Sequence, residues 1–177
     1  ISSSGNGGAL YCTSVTYFLV ESSSFFSCKS SNNHGGAIFF QYSSGQCVLH
    51  GVCGYDCSNC HSSFAYVSVN NAATSKNYVN YSSISRCVGD NSGSYVLLHG
   101  NGKVCCQTVN LSMNKCGYRT FYSYPFVDSS TVTCSLSFSS FTDNIGTGYT
   151  CIWLTRTGAK YEIKSCNVLR NTQDSLS

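Results

Sequence analysis

The sequence predicts an all-β fold, a parallel β-helix in which the chain winds through about six coils of 27–30 residues each. Three observations carry that expectation. Helix formers are scarce, with 6 alanines, 10 leucines, 2 glutamates and 1 methionine among 177 residues, while 33 serines, 15 asparagines, 13 tyrosines and 10 phenylalanines favour strands and turns. A short motif recurs along the whole chain at nearly constant spacing. Columns aligned on that motif are apolar in one place and polar in another, as a strand with one face on a core must be.

Taken in order, the chain shows Gly7-Gly8-Ala9-Leu10, which returns 28 residues later as Gly35-Gly36-Ala37-Ile38. The recurring motif is an apolar residue, two others, then Cys or Asn. It runs from Phe25 to Cys28, Ile84 to Cys87, Met113 to Cys116, Phe141 to Asn144 and Val168 to Asn171. A weaker copy from Gly54 to Cys57 lacks the apolar residue. The last positions are separated by 29, 30, 29, 28 and 27 residues. Eight positions before them stand Val20, Leu49, Val79, Thr108, Leu136 and Ile163, all large and apolar except Thr108. One position before them stand Ser27, Asp56, Arg86, Lys115, Asp143 and Arg170, all polar. Further strand-like runs are expected at 37–40, 64–69, 95–98, 120–124 and 149–154, divided by Gly, Asn and Ser clusters. No helical period separates them, which excludes βαβ units.

Stacked coils at about 4.8 Å each would span roughly 29 Å. The same inward corner returns every coil, and a small polar side chain there can satisfy buried turn amides. Cys28, Cys57, Cys87, Cys116, Asn144 and Asn171 are therefore expected to form an internal structural ladder. Asn offers both donor and acceptor, and Cys is a small buried substitute.

Paired GGA-apolar and F-x-x-N elements resemble the polymorphic outer-membrane protein repeats of chlamydiae, and the Ser-, Cys-, Asn- and Tyr-rich background is similar to trichomonad β-helix surface proteins. The matching residues are Gly7-Gly8-Ala9-Leu10, Gly35-Gly36-Ala37-Ile38 and Phe141-Thr142-Asp143-Asn144, with Phe25-Phe26-Ser27-Cys28 as the same element carrying Cys for Asn. The resemblance implies a single-stranded right-handed parallel β-helix at or outside a cell surface, often adhesive. It implies no catalytic residues.

Motifs with chemical content have simpler readings. Cys57-Ser58-Asn59-Cys60-His61 matches the c-type haem attachment pattern, but Cys57 already belongs to the ladder. Zinc would need a second ligand pair at the right spacing, and His34, His50 and His99 are scattered while Cys105-Cys106 is vicinal. No cofactor or metal is expected. Thirteen cysteines suggest an oxidising compartment, yet the number is odd and four of them share one column, which favours free buried thiols. Asn80-Tyr81-Ser82 and Asn110-Leu111-Ser112 make Asn80 and Asn110 candidate N-glycosylation sites. A polysaccharide lyase or hydrolase would need clustered or paired carboxylates. The seven acidic residues, Glu21, Asp56, Asp90, Asp128, Asp143, Glu162 and Asp174, form no adjacent pair. Outward tyrosines such as Tyr118, Tyr122 and Tyr124 are expected to suit a protein or sugar contact.

A hydrophobic content of 42% argues against disorder, and no apolar stretch is long enough to span a bilayer. A net charge of +3 with scattered basic residues is too weak for nucleic acid. Residues 1–177 are expected to form one β-helix domain, a segment of a longer solenoid or one whose ends are covered by partners, because neither end reads as a cap. The expected function is a non-catalytic scaffold, adhesin-like, at the cell surface or secreted, with protein partners or neighbouring solenoid segments. The alternatives are an intracellular, cytoskeleton-associated structural component and a pectate-lyase-like enzyme.

Overall fold

A computed structural model describes residues 2–31, 34–89, 94–125, 132–148, 151–155 and 160–173. Short parallel strands stack in three sheets, and no helix occurs among the described residues. Sheet A has seven rungs: Ser2–Ser3, Lys29–Ser30, Ser58–Asn59, Val88–Gly89, Lys115–Cys116, Ile145–Gly146 and Thr172–Gln173. Sheet B has six: Leu10–Thr13, Ile38–Gln41, Ser62–Ser68, Tyr95–Gly100, Arg119–Tyr124 and Ile152–Leu154. Sheet C also has six rungs, among them Gln46–His50 with Cys53–Tyr55, the continuous Lys76–Ser85 and Lys103–Ser112, and Lys160–Lys164 with Asn167–Leu169. Six rungs in a column are joined by five full turns, so the chain is a parallel β-solenoid, as the sequence predicts. The run expected at 149–154 begins at Ile152, and residues 149–150 lie outside the described residues, as do Asp90, Asp128 and Asp174.

Each coil turns two corners within a few residues. Ser22, Gly51, Tyr81, Thr108, Phe138 and Ser165 form one column with φ between 47° and 62°. Ser27, Asp56, Arg86, Met113, Asp143 and Arg170 form another, with φ between 48° and 54°. This left-handed conformation is uncommon for residues with a side chain. It is supported here by stacking: the N–H of Ser27, Asp56, Arg86, Met113 and Asp143 each donates to a carbonyl one coil on.

The register corrects one ladder position. Val88 pairs with Lys115 and Lys115 with Ile145, which puts Asn114, not Cys116, beside Cys87 and Asn144. The motif of this coil is therefore Leu111-Ser112-Met113-Asn114. Cys116 lies in sheet A beside Gly146. Lys115 likewise leaves the corner column, and Met113 takes its place. The cause is a short connection: only Asn101 and Gly102, both at positive φ, join the sheet B strand to the sheet C strand in this coil. The apolar column gains from the same shift, since Cys106, not Thr108, pairs with Val79 and Leu136.

The core lies between the sheets and includes Leu49, Val79, Ile84, Leu111, Phe121, Leu136 and Phe141, each at most 1% exposed. Gly54 breaks the apolar column for a packing reason. A Cβ there would sit 2.3 Å from the Phe64 ring, which fills that space from sheet B. The second glycine of the GGA motif has a similar cause: a Cβ on Gly36 would lie 2.1 Å from the Ser63 carbonyl oxygen in the next coil.

Candidate functional site

The interior corner carries a continuous polar ladder among the described residues. After the left-handed bend, the next N–H is received by a side chain one coil on, not by a strand carbonyl. The N–H of Cys87 donates to Asn114 Oδ1 at 2.9 Å, that of Asn114 to Asn144 Oδ1 at 3.1 Å, and that of Asn144 to Asn171 Oδ1 at 3.0 Å. The amide nitrogens serve the other direction. Asn114 Nδ2 donates to the Ile84 carbonyl, Asn144 Nδ2 to that of Leu111, and Asn171 Nδ2 to that of Phe141. The same amides also link side chain to side chain, at 2.9 Å from Asn114 to Asn144 and 2.8 Å from Asn144 to Asn171.

In the preceding coils sulfur occupies the same corner. The N–H of Cys28 faces the Cys57 sulfur and that of Cys57 faces the Cys87 sulfur. Thiol contacts to carbonyl oxygens are long: Cys28 to Phe26 and Cys57 to Phe25 at 3.6 Å, Cys87 to Ser85 at 3.5 Å. The Cys87 thiol donates toward Cys57 and lowers its pKa, while that contact and burial raise that of Cys87. A second polar column follows the other bend, where Ser82 Oγ accepts the Val52 N–H and Ser139 Oγ the Val109 N–H, both at 3.1 Å. The sequence reading missed Asn114 and this serine column. Thr108, the one polar residue in an otherwise apolar column, was the signal for the first.

All thirteen cysteines are free. Burial raises Cys116 to about 11 and Cys151 to about 12, so these thiols are poor nucleophiles. Within Cys57-Ser58-Asn59-Cys60-His61, Cys57 and Asn59 turn into the core and His61 lies beside His34, with ring centroids 5.2 Å apart. Among the described residues no group of three or more His, Cys, Asp or Glu side chains is placed to hold a metal ion. Asn80 and Asn110 lie in sheet C on opposite sides of bends, Asn80 half-buried and Asn110 exposed.

Two groups of charged side chains pair on the surface of the last coils. Arg170 grips Asp143 with two hydrogen bonds of 2.7 and 2.8 Å, which holds the carboxylate below its ordinary range. Lys164 and Lys160 flank Glu162 and hold it at about 2. Asp56 accepts from Ser27 Oγ at 2.7 Å, while Arg86 sits 5.8 Å over the Tyr55 ring.

Sheet B carries the other distinctive feature. Its register aligns Tyr11, Phe39, Tyr66, Leu98, Tyr122 and Trp153 in one column, alternating with core residues such as Ile38 and Leu97. Tyr11 stacks on Phe39 at 5.3 Å and Phe39 on Tyr66 at 5.1 Å. Farther along, Tyr95 stacks on Tyr122 at 5.0 Å. The Arg119 guanidinium lies 3.6 Å from the ring centroids of both Tyr118 and Trp153. A cation between two aromatic faces contributes about 2 kcal/mol or more when shielded from water. Phe39 and Leu98 are buried within the stripe, so its outward surface is Tyr11 and the partly exposed Tyr66, Tyr122 and Trp153. No helix is long and apolar enough to cross a membrane among the described residues. Comparison with known proteins finds no matching family model, no matching curated protein and no matching solved structure.

Proposed function

We propose that the chain is a non-catalytic solenoid scaffold whose outer face makes contacts, adhesin-like and exposed at a cell surface. The observation that carries this reading is the aromatic stripe of sheet B, from Tyr11 to Trp153, with Arg119 held among its rings. Aromatic residues and Arg dominate protein contacts, and aromatic rings also receive sugars. The inward polar side chains support the same reading, because the ladder amides and serines spend their hydrogen bonds on the backbone. The chlamydial and trichomonad resemblance supports the surface location, and a glycan at Asn110 would accord with it.

The test is adhesion of beads coated with the purified chain to cell layers and glycan arrays. Replacing Tyr66 and Tyr122 by alanine should lower binding with the fold retained by circular dichroism. Unchanged binding, or none by the parent chain on any surface, would overturn the adhesive reading. A second reading, an intracellular structural component, is favoured by the thirteen free thiols. An impermeant maleimide on intact cells separates the two, because Cys53 is exposed. Labelling of Cys53 only after lysis would sink the surface location.

A further inference from the structure

Three thiols are stacked inside the first half of the solenoid. The register sets Lys29 against Ser58 and Ser58 against Val88, so the residues before them, Cys28, Cys57 and Cys87, are neighbours one coil apart. Cys28 is 2% exposed, and Cys57 and Cys87 are 0% exposed. All three are free, and side chains stacked in parallel meet at a poor angle for a disulfide. The Cys87 thiol donates toward the Cys57 sulfur. Among the described residues no third His, Cys, Asp or Glu side chain joins such a pair around a common point.

Two buried sulfurs held at a fixed spacing are a ligand set. Thiolate sulfur is soft and selects Cu(I), Zn²⁺ and iron–sulfur clusters. Zinc in a closed site takes four ligands in a tetrahedron, and the clusters are held by four cysteines, so a pair satisfies neither. Cu(I) has a filled d shell and accepts two sulfurs in line. Metal–thiolate bonds are about 2.3 Å long, so sulfurs on opposite sides of one ion lie about 4.6 Å apart. Neighbouring coils are about 4.8 Å apart. Stacking therefore sets two corner sulfurs at the separation that a linear S–Cu–S unit needs.

We propose that Cys57 and Cys87 form a linear two-sulfur site for Cu(I) in the core of the solenoid. The ion takes the place of the proton between the two sulfurs. Binding exchanges one Cu⁺ for one thiol proton, which leaves to solvent, and copper keeps its oxidation state. One sulfur is then a thiolate and the other a thiol, so the dry core gains no net charge. The backbone assists, because the N–H of Cys28 faces the Cys57 sulfur and that of Cys57 faces the Cys87 sulfur. Such donors favour the thiolate, the form that binds metal. The asparagine corners do not offer this site. Their Oδ1 atoms are hard donors already engaged by backbone N–H groups. The inference concerns the interior and goes beyond the scaffold reading, which rests on the outer face of sheet B.

The test uses the full chain, reduced and kept from oxygen, titrated with Cu(I) against a competing chelator strong enough to strip single thiols. The parent chain should retain about one copper ion. X-ray absorption at the copper edge should show two sulfur neighbours and no nitrogen or oxygen. Cys57→Asn should abolish retention. Asparagine occupies the same corner at Asn114, Asn144 and Asn171, so this variant should keep the fold, as circular dichroism would show. Cys53→Ser, at an exposed thiol, should retain copper as the parent does. Asn114→Cys extends the column to four sulfurs, which divide into two pairs, and should raise retention to about two ions. That gain reads the site even if Cys57→Asn misfolds. No retention by the parent, undiminished retention by folded Cys57→Asn, or loss in Cys53→Ser would overturn the proposal. So would three or more ligands in the absorption spectrum, or no gain in Asn114→Cys.

Discussion

The two halves of the solenoid build the same corner from different atoms. Cys28, Cys57 and Cys87 occupy it in the first half, Asn114, Asn144 and Asn171 in the second. The backbone does not register the change: the residues before these positions have φ of 48°, 54° and 53° in the first half, and 53°, 54° and 50° in the second. Asn144 joins four hydrogen bonds through its side chain, to Asn114 twice, to Leu111 and to Asn171. Cys57 has 3.6 Å contacts to Phe25 and Tyr55, while its sulfur faces the Cys28 N–H and receives the Cys87 thiol, all weaker than amide hydrogen bonds. Core rings pack in both halves, Phe25 edge-on to Phe64 and Phe121 edge-on to Phe141, each pair at 6.1 Å, so the aromatic core does not distinguish them. The corner therefore needs a small side chain that tolerates an approaching N–H, and the bend and stacking set its shape. Hydrogen-bond strength is then free to differ between the halves.

The sharpest way to break this comparison is Asn144→Leu. Leucine strips a partner from the Asn114 N–H and the Leu111 carbonyl, both buried. Two unsatisfied groups at about 1–3 kcal/mol each predict a loss of about 4 kcal/mol in urea unfolding. A loss below about 1 kcal/mol would mean that the asparagine ladder contributes no more than the cysteine one.

The junction between the halves should respond to pH. His99 is fully buried, with Nδ1 hydrogen-bonded to Asn77 Oδ1, and burial depresses its pKa to about 3. An unfolded histidine titrates near 6.5. The unfolded state thus binds the proton first, so stability is full above pH 6.5 and falls as pH drops from 6.5 toward 3. Linkage predicts a loss of roughly 3 kcal/mol by pH 4. His34, lowered by burial and by His61, adds a slope of the same sign. His99→Gln should remove most of the dependence between pH 6.5 and 4; an unchanged slope would assign it elsewhere.

Much of this was legible in the sequence. The recurring Phe-x-x-Asn and its Cys variants revealed the coil length, and Gly35-Gly36 marked a close approach. Asn114 was hidden because Met113 and Cys116 also satisfy the motif, and a two-residue shift is invisible without the register. Met113 is 49% exposed at a left-handed corner, which its apolar character does not advertise. Gly54 was read as a weak copy, yet the missing side chain is supplied by Phe64 from another strand. Pairings of this kind depend on which residues face one another across the core, and local spacing carries no trace of that. The aromatic column of sheet B was equally hidden, since its members stand at unequal intervals and align only once the strands are stacked.

A smaller effect is expected at the sulfur corner. Cys57→Ala removes a buried thiol with weak contacts, and the cost should be about 1 kcal/mol, mostly from the lost volume. Urea unfolding alongside Asn144→Leu gives the contrast directly. A cost equal to that of Asn144→Leu would show that sulfur serves the corner as well as the amide does.

The finest test asks whether the halves are energetically separate. In a solenoid each coil touches only its neighbours, so a lost corner should open adjacent coils and leave distant ones shut. The free cysteines report this position by position. Cys116, Cys134 and Cys151 lie within a coil of Asn144, while Cys47 is fully buried at the far end. Native-state alkylation of Asn144→Leu should speed at those three thiols by up to about a thousandfold, the full expression of about 4 kcal/mol. Cys53, already exposed, should label at its parent rate, and Cys47 should stay slow. Equal acceleration at Cys47 would mean that the solenoid opens as one unit. The amide ladder would then stabilise the cysteine half as well, and the difference between the corners would be one of chemistry without a local energetic consequence.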